Sequence, residues 1–279
     1  GDTAYLVAGA GDVERFAPRA HAKTLDRSAG THILARDAHT GEIFTARDGG
    51  SIERVDAVTG ALSPVLSGLA FNVPVHGLAV AHVGGSRTFV VALENRLLEI
   101  DAGGASRVLT TRSAGALFSQ ASVAAREDAV FYTDSNGRSL YRVRLSDRAR
   151  TVESMSLATG GDVRFYPQAP LSGMSFADPR GLAFGADGTL YVADRGRNAV
   201  YAVRPDAGGI VGPGSKLEPV VGDGQGSYTP RSGERQPGVR FPMREPLGLS
   251  VTEDGLLFVA TTYGLASFDP LAREAESLV

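Results

Sequence analysis

Asp178–Arg204 reads DPRGLAFGADGTLYVADRGRNAVYAVR. An apolar run, Gly181–Phe184, meets an Asp187-Gly188 turn. A second run, Thr189–Ala193, meets a polar turn holding Asp194, Arg195 and Asn198. A third, Ala199–Val203, follows. Asp-Gly between short apolar runs is a hairpin signal, because both residues tolerate the positive φ that a two-residue turn needs. A fourth strand is predicted at Leu217–Val221, so the stretch reads as an antiparallel meander of four short strands.

The same grammar recurs at Val75–Ile100, Gln120–Val143 and Pro246–Phe268, and more weakly at His32–Val55. Each is strand, turn, strand, turn, strand. Outer fourth strands are predicted at Pro64–Leu66, Arg107–Leu109, Arg150–Met155 and Glu276–Val279. Gly and Pro interrupt most windows, and no long stretch holds a 3.6-residue period, so a helical reading fails. Five such units predict an all-β chain: a β-propeller of four-stranded antiparallel blades. The blades fall at about 31–68, 75–111, 119–155, 178–222 and 246–279, within a single domain over 1–279. Thr3–Ala8 is a sixth candidate outer strand. It is expected to close the ring by joining the last blade; a sixth blade, lost by excision from a longer chain, is the alternative.

Composition narrows the function. The 279 residues carry 28 basic and 31 acidic side chains, a net charge of −3, which argues against a bulk polybasic binder of nucleic acid or anionic membrane. No apolar run is long enough to span a bilayer as a helix, so no membrane insertion is expected. The absence of cysteine excludes disulfides, thiolate metal sites and cysteine nucleophiles. The 35 glycines, about one residue in eight against a usual ~7%, fit many tight turns.

The Asp178–Arg204 unit resembles an NHL repeat. Pro179, Gly181, Ala183, Asp187, Gly188, Leu190, Tyr191, Val192, Ala193, Asp194 and Asn198 all match its pattern. The Pro246 unit matches through Gly248, Asp254, Gly255 and Val259-Ala260, with Thr261 where the pattern has Asp. His39–Leu98 is also similar, more loosely, to strictosidine-synthase and lactonase-like propellers. The resemblance implies the propeller fold. It leaves activity open, since such propellers include RNA binders, protein binders, extracellular sensor domains and a few lyases. An exported location, periplasmic or extracellular, is expected, with no signal visible in this chain.

In an a-b-c-d meander, the start of strand a and the ends of strands b and d lie at one end of the blade. All d-to-a connections therefore share one face, and three of them are long: Ala10–Gly30, Ser156–Pro179 and Asp223–Glu245. Long connections make that face the default binding surface. The starts of strand a bring His32, His76, Gln120, Arg180 and Leu247 there; the ends of strand b bring Asp48, Glu94, Asp134, Asp194 and Thr261. The candidate ligand-binding residues are His76, Arg180, Glu94, His32, Gln120, Asp134 and Asp194. Asp134 and Asp194 also suit a structural role, capping the next turn through their carboxylates.

Two functions follow. The first is a binding module for a protein, peptide or glycan on the long-loop face, with nucleic acid disfavoured. The alternative is a metal-dependent hydrolase, lactonase or lyase with its site at the channel mouth. Zinc on imidazoles or calcium on carboxylates enters only under that alternative. Arg180 speaks against a cation there, since a guanidinium would repel it.

Overall fold

The computed structural model describes residues 5–8, 13–16, 33–111, 122–134, 138–162, 168–226 and 233–278. Two short strands open the chain, β1 (Tyr5–Ala8) and β2 (Val13–Phe16), paired with each other. The first meander is β3 (Ile33–Arg36), β4 (Ile43–Arg47), β5 (Ser51–Val55) and β6 (Leu62–Leu66). The second is β7 (Val75–Val83), β8 (Ser86–Leu93), β9 (Arg96–Asp101) and β10 (Ser106–Thr111); the third is β11 (Val123–Arg126), β12 (Ala129–Asp134), β13 (Ser139–Arg144) and β14 (Val152–Ser154). The fourth is β15 (Pro179–Phe184), β16 (Leu190–Asp194), β17 (Ala199–Val203) and β18 (Leu217–Val221). A short strand, β19 (Arg235–Pro237), precedes the fifth meander: β20 (Pro246–Val251), β21 (Leu257–Thr261), β22 (Gly264–Asp269) and β23 (Glu274–Ser277).

In all five, strands neighbour one another in sequence order, which makes them the blades of an all-β propeller. Among the described residues the helical elements are short 3-10 turns. The chain divides into two compact units, Gly1–Tyr132 with Arg142–Glu153, and Thr133–Tyr141 with Ser154–Val279, so the boundary runs through the third blade.

Alternation builds each core. In the first unit Phe44, Ile52, Val91, Leu93 and Ile100 are buried together, and Phe44 meets Phe89 edge-on at 5.1 Å. In the second, Val200, Val221, Leu257, Val259, Phe268 and Ala275 form the core between the fourth and fifth blades. Each large side chain taken out of water here contributes roughly 1.5–3 kcal/mol.

Three departures from the sequence reading are informative. Tyr5–Ala8 pairs with Val13–Phe16, and the fourth place in the last blade is taken by Glu274–Ser277. Both choices pair a strand with its neighbour along the chain, which closes the shorter loop. The stretch 223–245 contains β19, which pairs outside β23 and gives the last sheet a fifth strand. Finally, Phe176 and Phe241, which lie in two of the connections read as long loops, are almost fully buried: these connections carry the 3-10 turns Leu171–Gly173 and Gly238–Arg240.

Candidate functional site

The same irregularity recurs where strand a begins. Register slips between Val75 and Gly77, between Pro179 and Leu182, and between Pro246 and Gly248. His76, Arg180 and Leu247 fall on these bulges, and a bulge re-aims a side chain out of the ladder. In the second unit the bulge has a steric partner: a Cβ on Gly181 would lie 2.6 Å from the Leu247 carbonyl oxygen, so β15 and β20 approach more closely than any other residue allows.

In the first unit His76 is half-buried. Burial pushes its imidazole pKa down, while the nearby carboxylates of Glu94 and Asp48 pull it up. Asp48 is itself engaged, accepting the Val75 N–H at 2.8 Å. The structure thus brings together three predicted positions, His76, Glu94 and Asp48. Two others, His32 and Gln120, lie outside the described residues. Among the described residues no group of three or more His, Asp and Glu is arranged to hold a metal ion, so the zinc or calcium of the enzyme alternative finds no fitting donor set there.

The second unit holds a more developed site. Asp194, at the end of β16, is fully buried and accepts the N–H groups of Ala177 and Asp178, both at 2.8 Å. Burial pushes its carboxyl pKa up, against those donors and the Arg197 guanidinium. Asp194 therefore acts as a strut that fixes the segment leading into β15. Asp134 ends β12 in the same way and is likewise buried. Arg180 is mostly buried and ion-paired with Asp178, at 2.8 Å through Nε and 3.0 Å through Nη2. Its Nη1 is buried without an acceptor among the described residues.

Beside this frame opens a cleft of about 660 Å³, lined by Asp178, Arg195, Gly196, Asn198, Gln225, Gly226, Arg244 and Glu245. Its parts come from the b-to-c turn of the fourth blade and from the long connection to the fifth. Asn198, in the left-handed region at φ 50°, accepts the Glu245 N–H at 2.9 Å and so ties turn to connection. Gly222, at φ 104°, makes the tie possible, because a Cβ there would lie 2.2 Å from the Asn198 carbonyl oxygen. Arg195 stands between two carboxylates, 3.4 Å from Asp178 and 3.5 Å from Glu245. Glu245 also accepts the Thr262 hydroxyl at 3.0 Å. Arg244 is exposed and lies over the Tyr263 ring, with its guanidinium carbon 4.8 Å from the centroid.

The sequence reading places Arg180 and Asp194 at this end of the fourth blade and does not anticipate the cleft itself. Asn198 enters it only as a turn and repeat-pattern residue, Asp178 only as the first residue of the repeat, and Arg244 not at all. The available signal was the run Arg244-Glu245 at the end of a long connection, directly ahead of a strand a.

Residues 176–200 match the family model for the NHL repeat. No curated protein sequence matches the chain. Among solved structures, a chain of a nidogen/laminin complex is similar over 98% of this chain and 91% of its own, at 15% identity and a TM-score of 0.63. A gluconolactonase from Xanthomonas campestris is similar over 99% and 88%, at 16% identity and 0.58. A virginiamycin B lyase from Staphylococcus aureus is similar over 97% and 78%, at 13% identity and 0.56. At such identities the likeness speaks for the fold alone. Fold, repeat pattern and family match agree: the chain is a five-bladed, all-β propeller whose residues 176–200 match the NHL repeat.

Proposed function

We propose that this propeller is a binding module that takes a segment of a partner protein or peptide in the cleft of its second unit. One observation carries the reading. The cleft is open and lined by charged and amide side chains on a frame fixed by partly buried hydrogen bonds. Pre-fixed polar groups orient a ligand at little cost in ordering. A similar fold in a chain of a nidogen/laminin complex is consistent with protein binding. A glycan would use the same amide and guanidinium groups, but the cleft offers it Tyr263 only with a guanidinium already on the ring. The hydrolase or lyase alternative has less behind it, since among the described residues His76, Glu94 and Asp48 are not grouped so as to hold a metal ion.

The test is selection of displayed peptides on the intact chain, followed by binding to two variants. Gln225→Trp fills the cleft from an exposed wall position; Val58→Trp alters an exposed turn in the other unit. Selected peptides should lose about 10-fold or more in affinity for Gln225→Trp and none for Val58→Trp. Peptides indifferent to Gln225→Trp would place binding elsewhere and end this reading.

A further inference from the structure

Resting on that reading, we infer that the cleft selects a carboxylate: Arg244, lying over the Tyr263 ring, is the residue that reads an acidic side chain of the bound segment. The argument begins with charge. Two guanidinium groups and two carboxylates line the cleft, Arg195 and Arg244 with Asp178 and Glu245, and a third guanidinium, Arg180, pairs with Asp178. Arg180 occupies Asp178 through two nitrogens. Arg195 divides itself between Asp178 and Glu245. Each carboxylate is thus engaged, and one positive charge is left over.

Geometry says where that charge sits. Among the described residues no carboxylate pairs with Arg244, which is exposed and touches the face of Tyr263. Contact with a ring face restrains a guanidinium and leaves its N–H groups open to a ligand. Those groups form a fork of donors matched to the two oxygens of a carboxylate. Contact with the ring also lowers the ordering cost that a long exposed side chain otherwise brings to an ion pair. A single uncommitted guanidinium balances one carboxylate. A doubly charged phosphoryl group would be left half-neutralised beside Glu245, so the carboxylate is the better match.

The experiment uses fluorescence anisotropy of labelled hexaglutamate and hexaglutamine peptides on the intact chain. Hexaglutamate is expected to bind at least 10-fold more tightly. Arg244→Ala, which removes an exposed side chain and should leave the melting temperature unchanged, is expected to bring hexaglutamate down to the hexaglutamine level. Arg244→Lys keeps the charge without the fork and should recover only part of the loss. Glutarate should compete better than inorganic phosphate at equal ionic strength. Equal binding of hexaglutamate by Arg244→Ala, or stronger competition by phosphate, overturns the inference. If both peptides bind alike and Gln225→Trp weakens both, carboxylate selection is wrong while the cleft remains a peptide site. If neither binds, the inference fails, and selected peptides indifferent to Gln225→Trp would show that the binding reading fails with it.

Discussion

Asp37 shows how much one side chain can organise. It sits in the turn between β3 and β4, with no exposed surface. It accepts the N–H of His39 at 2.9 Å, the His82 ring nitrogen at 2.9 Å and Arg87 Nε at 2.8 Å. The His39 and His82 rings stack at 3.9 Å, and His39 reaches Glu127 at 3.1 Å. Turns of the first three blades thus meet through one carboxylate. Burial alone pushes the Asp37 pKa up, but the His39 N–H, His82 and Arg87 outweigh it and bring it from an ordinary 3.8 to about 2. The sign follows: a carboxyl held low stabilises the fold above its unfolded pKa, and the contribution fades as pH falls from about 4 toward 2. Asp37→Asn should cost about 2 kcal/mol at neutral pH, because it removes the negative charge and replaces one of the two acceptor oxygens, those facing His82 and Arg87, with an NH2 donor. Urea unfolding at pH 7 and at pH 2.5 checks this: the gap between wild type and variant should narrow at the lower pH. A constant gap would mean that Asp37 acts by shape rather than charge.

At the scale of the element, the bulge at the start of strand a governs the second unit. Gly181→Ala puts a methyl group against the backbone of β20, which cannot swing aside as a side chain would. A loss of about 2 kcal/mol is expected, read as a lowered thermal midpoint; an unchanged midpoint would show that β15 and β20 have room to separate. The strands were legible because they repeat. Period-2 alternation with Asp-Gly turns marks β15, β16 and β17 within a residue or two, and Leu182, Leu190, Val192, Val200 and Val203 are buried as that alternation implies, while Phe184 is half-buried. A second signal lay unused in the turns. Asp37, Asp56, Asp101, Asp206 and Asp269 each accept backbone N–H groups two to four residues on, making one Asx-type turn five times. The cleft was not legible, because its segments, at 178, 195–198, 225–226 and 244–245, are 17 to 67 residues apart and meet through a left-handed Asn198 and the bulged start of β15. Neither feature leaves a periodic trace.

At the scale of the whole molecule, the two chain ends carry unequal weight. Deleting residues 1–9 removes β1, whose described partner is β2 alone. Deleting residues 274–279 removes β23, with the fully buried Ala275 and the partner of both β22 and β19. The second deletion should lower the thermal midpoint strongly and the first little, by differential scanning calorimetry. The reverse order would mean that the amino-terminal strand, as its sequence alone suggested, completes a blade.

That outermost strand has a further consequence. A sheet that ended at β23 would present a row of free N–H and C=O groups, a template on which another chain could polymerise. β19 covers part of that row with three residues, Arg-Gln-Pro, and its own outer side is short, charged and interrupted by Pro237, which has no N–H to offer. Arg235 is tied down by Glu276 at 2.7 Å, so the cover is fastened by charge as well as by backbone. The connection that builds one wall of the cleft therefore also guards the molecule's shelf life: loosening it would be felt first as turbidity and fibre growth in storage, before any fall in ligand affinity.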